Sequence, residues 1–214
     1  MFVSLFFLSL SSSAQIAKGS VSLGGSVGFG HASQDRNSSP GDGKSNYFNF
    51  SPAIGKAIRE NLIAGITLNY GKSKSENFEP YVNYTSRNYG AGLFIRRFYP
   101  IASHFYFFNQ ADLGYQYTKS ENEFSAPYYN FSKSKGISLG IQPGLSYNVT
   151  KAFYLEMGFN NLLQISYVVA EERMRTSPNP EIYRKTKSFS LNSSLINSTN
   201  LNIGVRFIIP QRHG

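Results

Sequence analysis

The chain has 214 residues, 41% of them hydrophobic, with a formal net charge of +9 and no cysteine. That length suits one ordinary domain, and the missing cysteines exclude a disulfide framework, thiolate metal ligation and the acylated cysteine of a lipoprotein. No apolar run is long enough for a transmembrane helix, which leaves open a spanning barrel, because alternating strands give only a weak hydropathy signal.

The first fifteen residues, MFVSLFFLSLSSSAQ, hold an apolar stretch followed by Ser12, Ser13 and Ala14 ahead of Gln15. This reads as the apolar region and small-residue cleavage site of a secretory signal, although no Lys or Arg precedes it. The expected organisation is a signal peptide at 1–14, a barrel domain at 15–210 and a short tail at 211–214.

Beyond it, apolar residues alternate with small or polar ones. ISLGIQPGLSYNV (137–149) sets Ile137, Leu139, Ile141, Pro143, Leu145, Tyr147 and Val149 against Ser138, Gly140, Gln142, Gly144, Ser146 and Asn148. LIAGITLNYG (62–71) and LNIGVRFII (201–209) repeat the pattern. Period two over nine or more residues predicts strands and not helices. Eight such segments are expected, at 20–30, 46–57, 62–72, 87–98, 104–118, 136–148, 153–168 and 198–209. Several exceed the ordinary strand length of about 5–6 residues and approach the about 9–11 that a tilted membrane strand requires.

Short connections fall at 59–61, 99–103 and 148–152, and long polar ones at 31–45, 73–86, 119–135 and 169–197. Their strict alternation places all short turns on one side of an up-and-down barrel and all long loops on the other. PAIGKAIRENLIAGI (52–66) aligns without gaps on PGLSYNVTKAFYLEM (143–157), a weak hairpin repeat. Its two prolines forfeit a ladder hydrogen bond, and a bulge is expected at Pro52 and at Pro143.

Which face is wet follows from glycine. Gly24, Gly28, Gly30, Gly55, Gly65, Gly71, Gly90, Gly92, Gly114, Gly140, Gly144, Gly158 and Gly204 all fall on the less apolar face. Glycine weakens a strand and gains nothing on an open watery surface, but it relieves crowding inside an eight-stranded barrel. The glycine-rich face is therefore the lumen, and the large apolar residues point to lipid. A soluble barrel of lipocalin type would reverse this. Arg96, Asp112, Glu156 and Arg206 share the inner face, two bases and two acids. An interior ion-pair network would satisfy them, with Glu156 and Arg206 as its first pair; separate solvation in a wet lumen is the alternative. Aromatics near the segment ends, FYFF (105–108), Tyr99, Tyr115, Tyr117, Tyr147 and Phe153, suit the girdles at membrane–water interfaces.

With these features the chain resembles the small eight-stranded outer-membrane barrels, the OmpA-transmembrane and OmpX-like group, and especially the "outer membrane protein β-barrel domain" proteins of Bacteroidetes-type bacteria. The resemblance spans about 16 to 209. Its most specific part is NIGVRFII (202–209), which looks like the family's C-terminal assembly signal in Asn202, Gly204, Phe207 and Ile209; family members often end on the aromatic, whereas here residues follow it. The resemblance implies an eight-stranded antiparallel up-and-down transmembrane β-barrel in the bacterial outer membrane, a monomer in contact with outer-membrane lipid and lipopolysaccharide. It also implies that the barrel-assembly machinery binds the last strand.

Chemistry is thin. His31-Ala32-Ser33 has the H-x-S spacing of a lipid A deacylase, and residues two apart share a strand face, yet no acid is placed to orient the histidine and a solvated loop histidine is the better reading. No metal-ligand cluster or cofactor motif stands out, and GGSVGFG (24–30) lies inside a strand, not before a helix. The scattered Lys and Arg residues carry no nucleic-acid motif. Lys72, Lys74, Lys119, Lys133, Lys135, Arg184, Lys185 and Lys187 lie near the outer mouth, where they match the phosphates of lipopolysaccharide or form a generic solvated rim. The expected role is structural or surface-interacting, through long outer loops of which 169–197 is the best candidate for a partner-binding surface. A small passive pore is the alternative, and a lipid A-modifying enzyme the third reading.

Overall fold

The computed structural model describes residues 15–34, 43–76, 83–123, 128–159, 162–176, 181–193 and 201–211; the expected signal peptide lies outside them. The strands are β1 (Val21–Gln34), β2 (Gly43–Arg59), β3 (Leu62–Glu76), β4 (Asn83–Pro100), β5 (Phe105–Glu123), β6 (Tyr128–Asn148), β7 (Phe153–Phe159), β8 (Leu163–Thr176), β9 (Ile182–Ser193) and β10 (Leu201–Ile209). All pairings among them are antiparallel. Both β7 and β8 pair with β6, and β10 and β9 pair with β7 and β8 in turn, so β7–β8 and β9–β10 are each one wall in two lengths. Ten strands thus make eight walls, and β1 on β10 closes the barrel.

The strands reach well past the eight expected segments. Most of 73–86, 119–135 and 169–197, and both ends of 31–45, expected as loops, are strand. The residues there still alternate, but with polar groups on both faces, as in Lys72-Ser73-Lys74-Ser75-Glu76. Apolar patterning ends where burial ends, whereas the hydrogen-bond ladder needs only a neighbouring strand. Serine pairs hold the inner face of these extensions, Ser45 with Ser75 at 2.8 Å, Ser86 with Ser120 at 2.9 Å and Ser166 with Ser190 at 2.7 Å.

The two prolines behave differently. At Pro52 the β2–β3 rungs opposite Ser51 and Pro52 are missing, but Phe50↔Tyr70 and Ala53↔Thr67 keep one register, so the expected bulge is absent. The β2–β3 irregularity lies instead at Ala57/Arg59. Beside Pro143 the partner of β6 changes from β8 (Ile141↔Leu163) to β7 (Gly144↔Gly158), and the register slips there. Proline tolerates both places for one reason: it has no N–H to donate.

The outer face is apolar. On β2 large apolar residues point outward between Ile58 and Phe48, with Lys56 among them, and on β5 between Phe105 and Tyr115, with Asn109 among them, lengths comparable to the about 9–11 residues that cross hydrocarbon on a tilted strand. Inside, the short-turn end is filled by Ile63, Phe94, Phe98, Tyr106, Phe108, Tyr154 and Ile208, all buried. Tyr106 and Phe108 therefore leave the expected girdle; Phe105 and Phe107 stay outside because alternation splits FYFF between the two faces. Glycine makes the space, since a Cβ at Gly65 would stand 2.6 Å from the Phe94 ring and one at Gly144 would collide with Phe108.

The segment before β1 closes this end. Ile16 is buried, its N–H donates to Asn61 Oδ1 at 2.9 Å, and its carbonyl accepts from Asn61 N–H at 3.0 Å. Asn61 also accepts from Phe98 N–H at 2.8 Å and holds a left-handed φ of 56°, which asparagine adopts more readily than most residues. One residue thus supports both the β2–β3 turn and the floor, its side chain and N–H holding the segment before β1 and its main-chain carbonyl holding Phe98. Asn61→Ala is expected to destabilise the barrel by about 1–3 kcal/mol, read as a lower midpoint in denaturant-induced loss of the heat-shifted gel band. An unchanged midpoint would sever the turn from the floor.

Candidate functional site

Above the aromatic floor the lumen carries a layer of charge. Arg96 on β4, Gln110 and Asp112 on β5, Glu156 on β7 and Arg206 on β10 point inward because each sits on the odd-length step opposite an outward Ile95, Ala111, Leu155 or Val205. Glu156 accepts two hydrogen bonds from Arg96 Nη1, at 2.6 and 2.7 Å, and one from Arg206 Nε at 2.9 Å. Arg96 Nε donates to Gln110 Oε1 at 2.6 Å, and Gln110 Nε2 to Asp112 Oδ1 at 2.7 Å. Arg206 Nη1 reaches Ser22 Oγ on β1 at 2.9 Å. All four expected lumen charges are brought together, with Asp112 joined through Gln110.

Sequence reading paired Glu156 with Arg206 and missed the larger contact, Arg96, which arrives from across the lumen. No local spacing in the sequence links positions so far apart. Gln110 and Ser22 were also missed; both lie on the polar parity of their strands, the one signal that could have found them. The Arg96 guanidinium lies 4.1 Å from the centroid of the Phe108 ring, so aromatic faces as well as carboxylate surround it. The charge layer and the floor beneath it form a packed stop.

Beyond this layer the lumen widens into a cavity of about 460 Å³, lined by amides, hydroxyls and glycine, among them Asn49, Ser51, Asn69, Ser138, Gln142 and Gln164. Asn69 Nδ2 donates to Asn49 Oδ1 at 3.1 Å and to Ser51 Oγ at 2.7 Å, and Asn69 Oδ1 accepts from Asn88 at 2.9 Å. Asp112 lines the cavity, and its buried Oδ2 has no hydrogen-bond partner among the described residues.

The outer end shows a second arrangement. Consecutive rungs place Lys72 beside Arg87, Arg87 beside Lys119, and Lys119 beside Lys133, one cation on each of four adjacent strands. All four have the parity of the outward apolar residues below them. The next outward row toward the turns is Phe50, Tyr70, Tyr89 and Tyr117, with Tyr70 and Tyr89 ring centroids 5.4 Å apart. Arg87 was missed by sequence reading, which took it for the start of a strand. Lys74 and Glu76 form an ion pair, Lys119 meets Glu121 at 2.7 Å and Lys185 meets Glu171 at 3.2 Å. Lys135 stands beside Tyr117, and Lys187 lies opposite Val169 on the same outer face. Arg184 departs from this set: its rung partner is Glu172, on the inner parity, so alternation along β9 turns it away from Lys185 and Lys187.

His31 Nδ1 meets Asn46 Oδ1 at 2.8 Å, its partner across the β1–β2 rung. No hydrogen bond joins it to Ser33 among the described residues. Nor does any group of three or more His, Asp or Glu converge there in a metal-binding arrangement. Of the expected assembly signal, Gly204 faces inward, Phe207 and Ile209 outward, and Asn202 pairs with Gly158 of β7. The Phe207 ring packs on Phe153 at 5.1 Å.

Fold and lumen define a class, an inside-out antiparallel barrel with an apolar exterior and a packed, ionic interior. No family model and no curated relative matches the sequence. Among solved structures the chain is similar to the translocator domain of the autotransporter NalP from Neisseria meningitidis, at 14% identity over 91% of this chain and 69% of that one, with a TM-score of 0.45. It is also similar to Neisserial surface protein A, at 16% identity over 88% of this chain and 95% of that one, with a TM-score of 0.36.

The network supplies a direct test. Glu156→Gln leaves two buried guanidiniums without their shared carboxylate, and should cost about 3–5 kcal/mol of stability. Arg206→Met placed on top should return part of that loss, because one buried charge is removed. Denaturant unfolding of the refolded barrel in micelles reads both; equal stability of all three proteins would show that water, not the ion pairs, satisfies these groups.

Proposed function

We propose that the chain is an integral bacterial outer-membrane barrel of the OmpA-transmembrane and OmpX-like kind, working as a structural and surface-contact protein whose outer rim holds lipopolysaccharide. The observation that carries this reading is the row Lys72, Arg87, Lys119 and Lys133. Like charges directly opposite one another on adjacent strands are destabilising, and here three such oppositions occur in sequence around the wall. A row of anions offsets them. Lipid phosphate groups stand at the level just beyond an aromatic girdle, which is where this row sits. Arginine and lysine bind phosphate through charge-assisted hydrogen bonds.

The pore reading has less support. The cavity ends on the Arg96–Glu156–Arg206 layer and the buried Phe98, Tyr106 and Tyr154 beneath it. For the lipid A hydrolase, His31 is engaged with Asn46, and no hydrogen bond joins it to Ser33 among the described residues. The assembly machinery remains the proposed partner of β10, and the hairpin β8–β9 the proposed site for a surface ligand.

Replacing the four cations by Gln should lower retention of purified lipopolysaccharide on the refolded barrel by about tenfold or more, and flatten its dependence on salt, with the heat-shifted gel mobility unchanged. Undiminished retention would leave only a solvated rim. In planar bilayers the folded native chain should give no discrete conductance steps; reproducible steps would restore the pore.

A further inference from the structure

The β1–β10 ladder that closes the barrel is short. Its rungs run from Val21↔Ile209 to Gly25↔Val205 and stop, although β1 continues to Gln34 and β10 begins at Leu201. Among the described residues, Ser26–Phe29 of β1 and Leu201–Gly204 of β10 keep register on their other sides, with β2 and β7, and make no rung with each other. Exposure registers the gap. Within these two strands, outward Leu23 and Val205 on the paired part are 40% and 42% exposed, and past the last rung Val27, Phe29 and Ile203 are 63%, 80% and 77% exposed.

Two local features explain why the ladder fails here. Gly25 has a φ of 147°, and a Cβ in its place would lie 2.5 Å from the Ser51 carbonyl oxygen. Its rung partner on β2 is Pro52, beside which the β2–β3 rungs are also missing. The missing rungs therefore flank the intact β1–β2 pair, on the β10 side of β1 and on the β3 side of β2. The lumen cavity comes to the surface there: besides Asn49, Gln110 and Asp112, its lining includes Ser26 and the outward-facing Leu68, Phe159 and Ile203.

We infer that this gap is a lateral portal in which an amphiphile from the surrounding bilayer is held, its hydrocarbon chain along Val27, Phe29, Phe159 and Ile203 and its hydrogen-bond-donating head inside the lumen. The inference rests on the membrane reading above, and on three properties of the opening. The side chains of its outer lip are apolar, and a bound head group can meet the backbone groups left unpaired there. Its inner wall is amide and hydroxyl. At the far side stands Asp112, whose buried Oδ2 has no donor among the described residues; a hydroxyl or ammonium head that reaches it would supply one. A head that offers only acceptors gains nothing from it.

The test uses the full barrel refolded in octyl glucoside, whose sugar head is rich in donors, then transferred to phosphatidylcholine nanodiscs and read by native mass spectrometry. The native barrel should retain one glycoside. Ser26→Leu, which fills the mouth, and Asp112→Ala, which removes the acceptor, should each reduce retention by about tenfold. Gly204→Leu blocks the same mouth from β10, where a Cβ meets only the Gly25 carbonyl oxygen at 3.8 Å. Heat-shifted gel mobility confirms closure of every variant, and a native chain without that shift would overturn the membrane reading itself. With folding intact, no retained glycoside, or equal retention by native and blocked barrels, overturns the portal. Equal retention of dodecylphosphocholine, whose head has no donor, overturns the role of Asp112. Displacement of the glycoside by a two-barrel species would assign the open edges to a second copy instead.

Discussion

One carboxylate holds much of this barrel in place. Glu156 is buried, and two guanidiniums converge on it from opposite directions. Arg206 comes from the adjacent closing wall and extends to Ser22 on β1; Arg96 comes across the lumen from β4 and extends through Gln110 to Asp112 on β5. The chain of contacts links β1, β10, β7, β4 and β5, and so ties the seam of the barrel to its opposite side. An ion pair of this kind is weak support for net stability, since desolvation offsets its attraction. What it specifies is register. A shift of one residue in any of these strands would turn its charge out among the exposed apolar residues.

The rest of the interior is arranged around that layer. Large side chains fill the turn end beneath it, and glycine on the facing strands lets rings such as Phe94 and Phe108 lie close to backbone. Above it the residues become small and polar, and the cavity opens. The barrel is thus a cup with a sealed floor, its usable surfaces being the cup, the outer rim and the incomplete seam. Those surfaces differ in chemistry: amide and carboxylate within, cationic at the rim, apolar at the seam.

The seam and the rim both show the same economy of local rules. An open ladder edge is ordinarily a liability for pairing with another chain, and every unsatisfied backbone group in hydrocarbon is costly. A barrel that leaves rungs unmade beside Gly25 and Pro52 keeps an edge its fold was free to close. Likewise, a row of four cations carries repulsion that its fold was free to avoid. Local departures from consistency of this kind tend to mark functional surfaces.

Period-two alternation, visible in stretches such as 137–149, determined that the chain forms strands, and the glycine on the alternate face determined which side is lumen. The alternation of short and long connections gave an up-and-down order, and parity alone put Arg96, Asp112, Glu156 and Arg206 on one side. These properties are local, so the sequence carries them openly. Strand length was not legible, because polar extensions such as 72–76 pair through backbone groups that no side chain advertises. Nor was the division of FYFF between girdle and floor, or the meeting of Arg96 with Glu156, or the row from Lys72 to Lys133. Each depends on the stagger between neighbouring walls, and stagger is fixed only when the eighth wall returns to the first. The missing rungs past Gly25 belong to that same closure, and only the tertiary structure decides them.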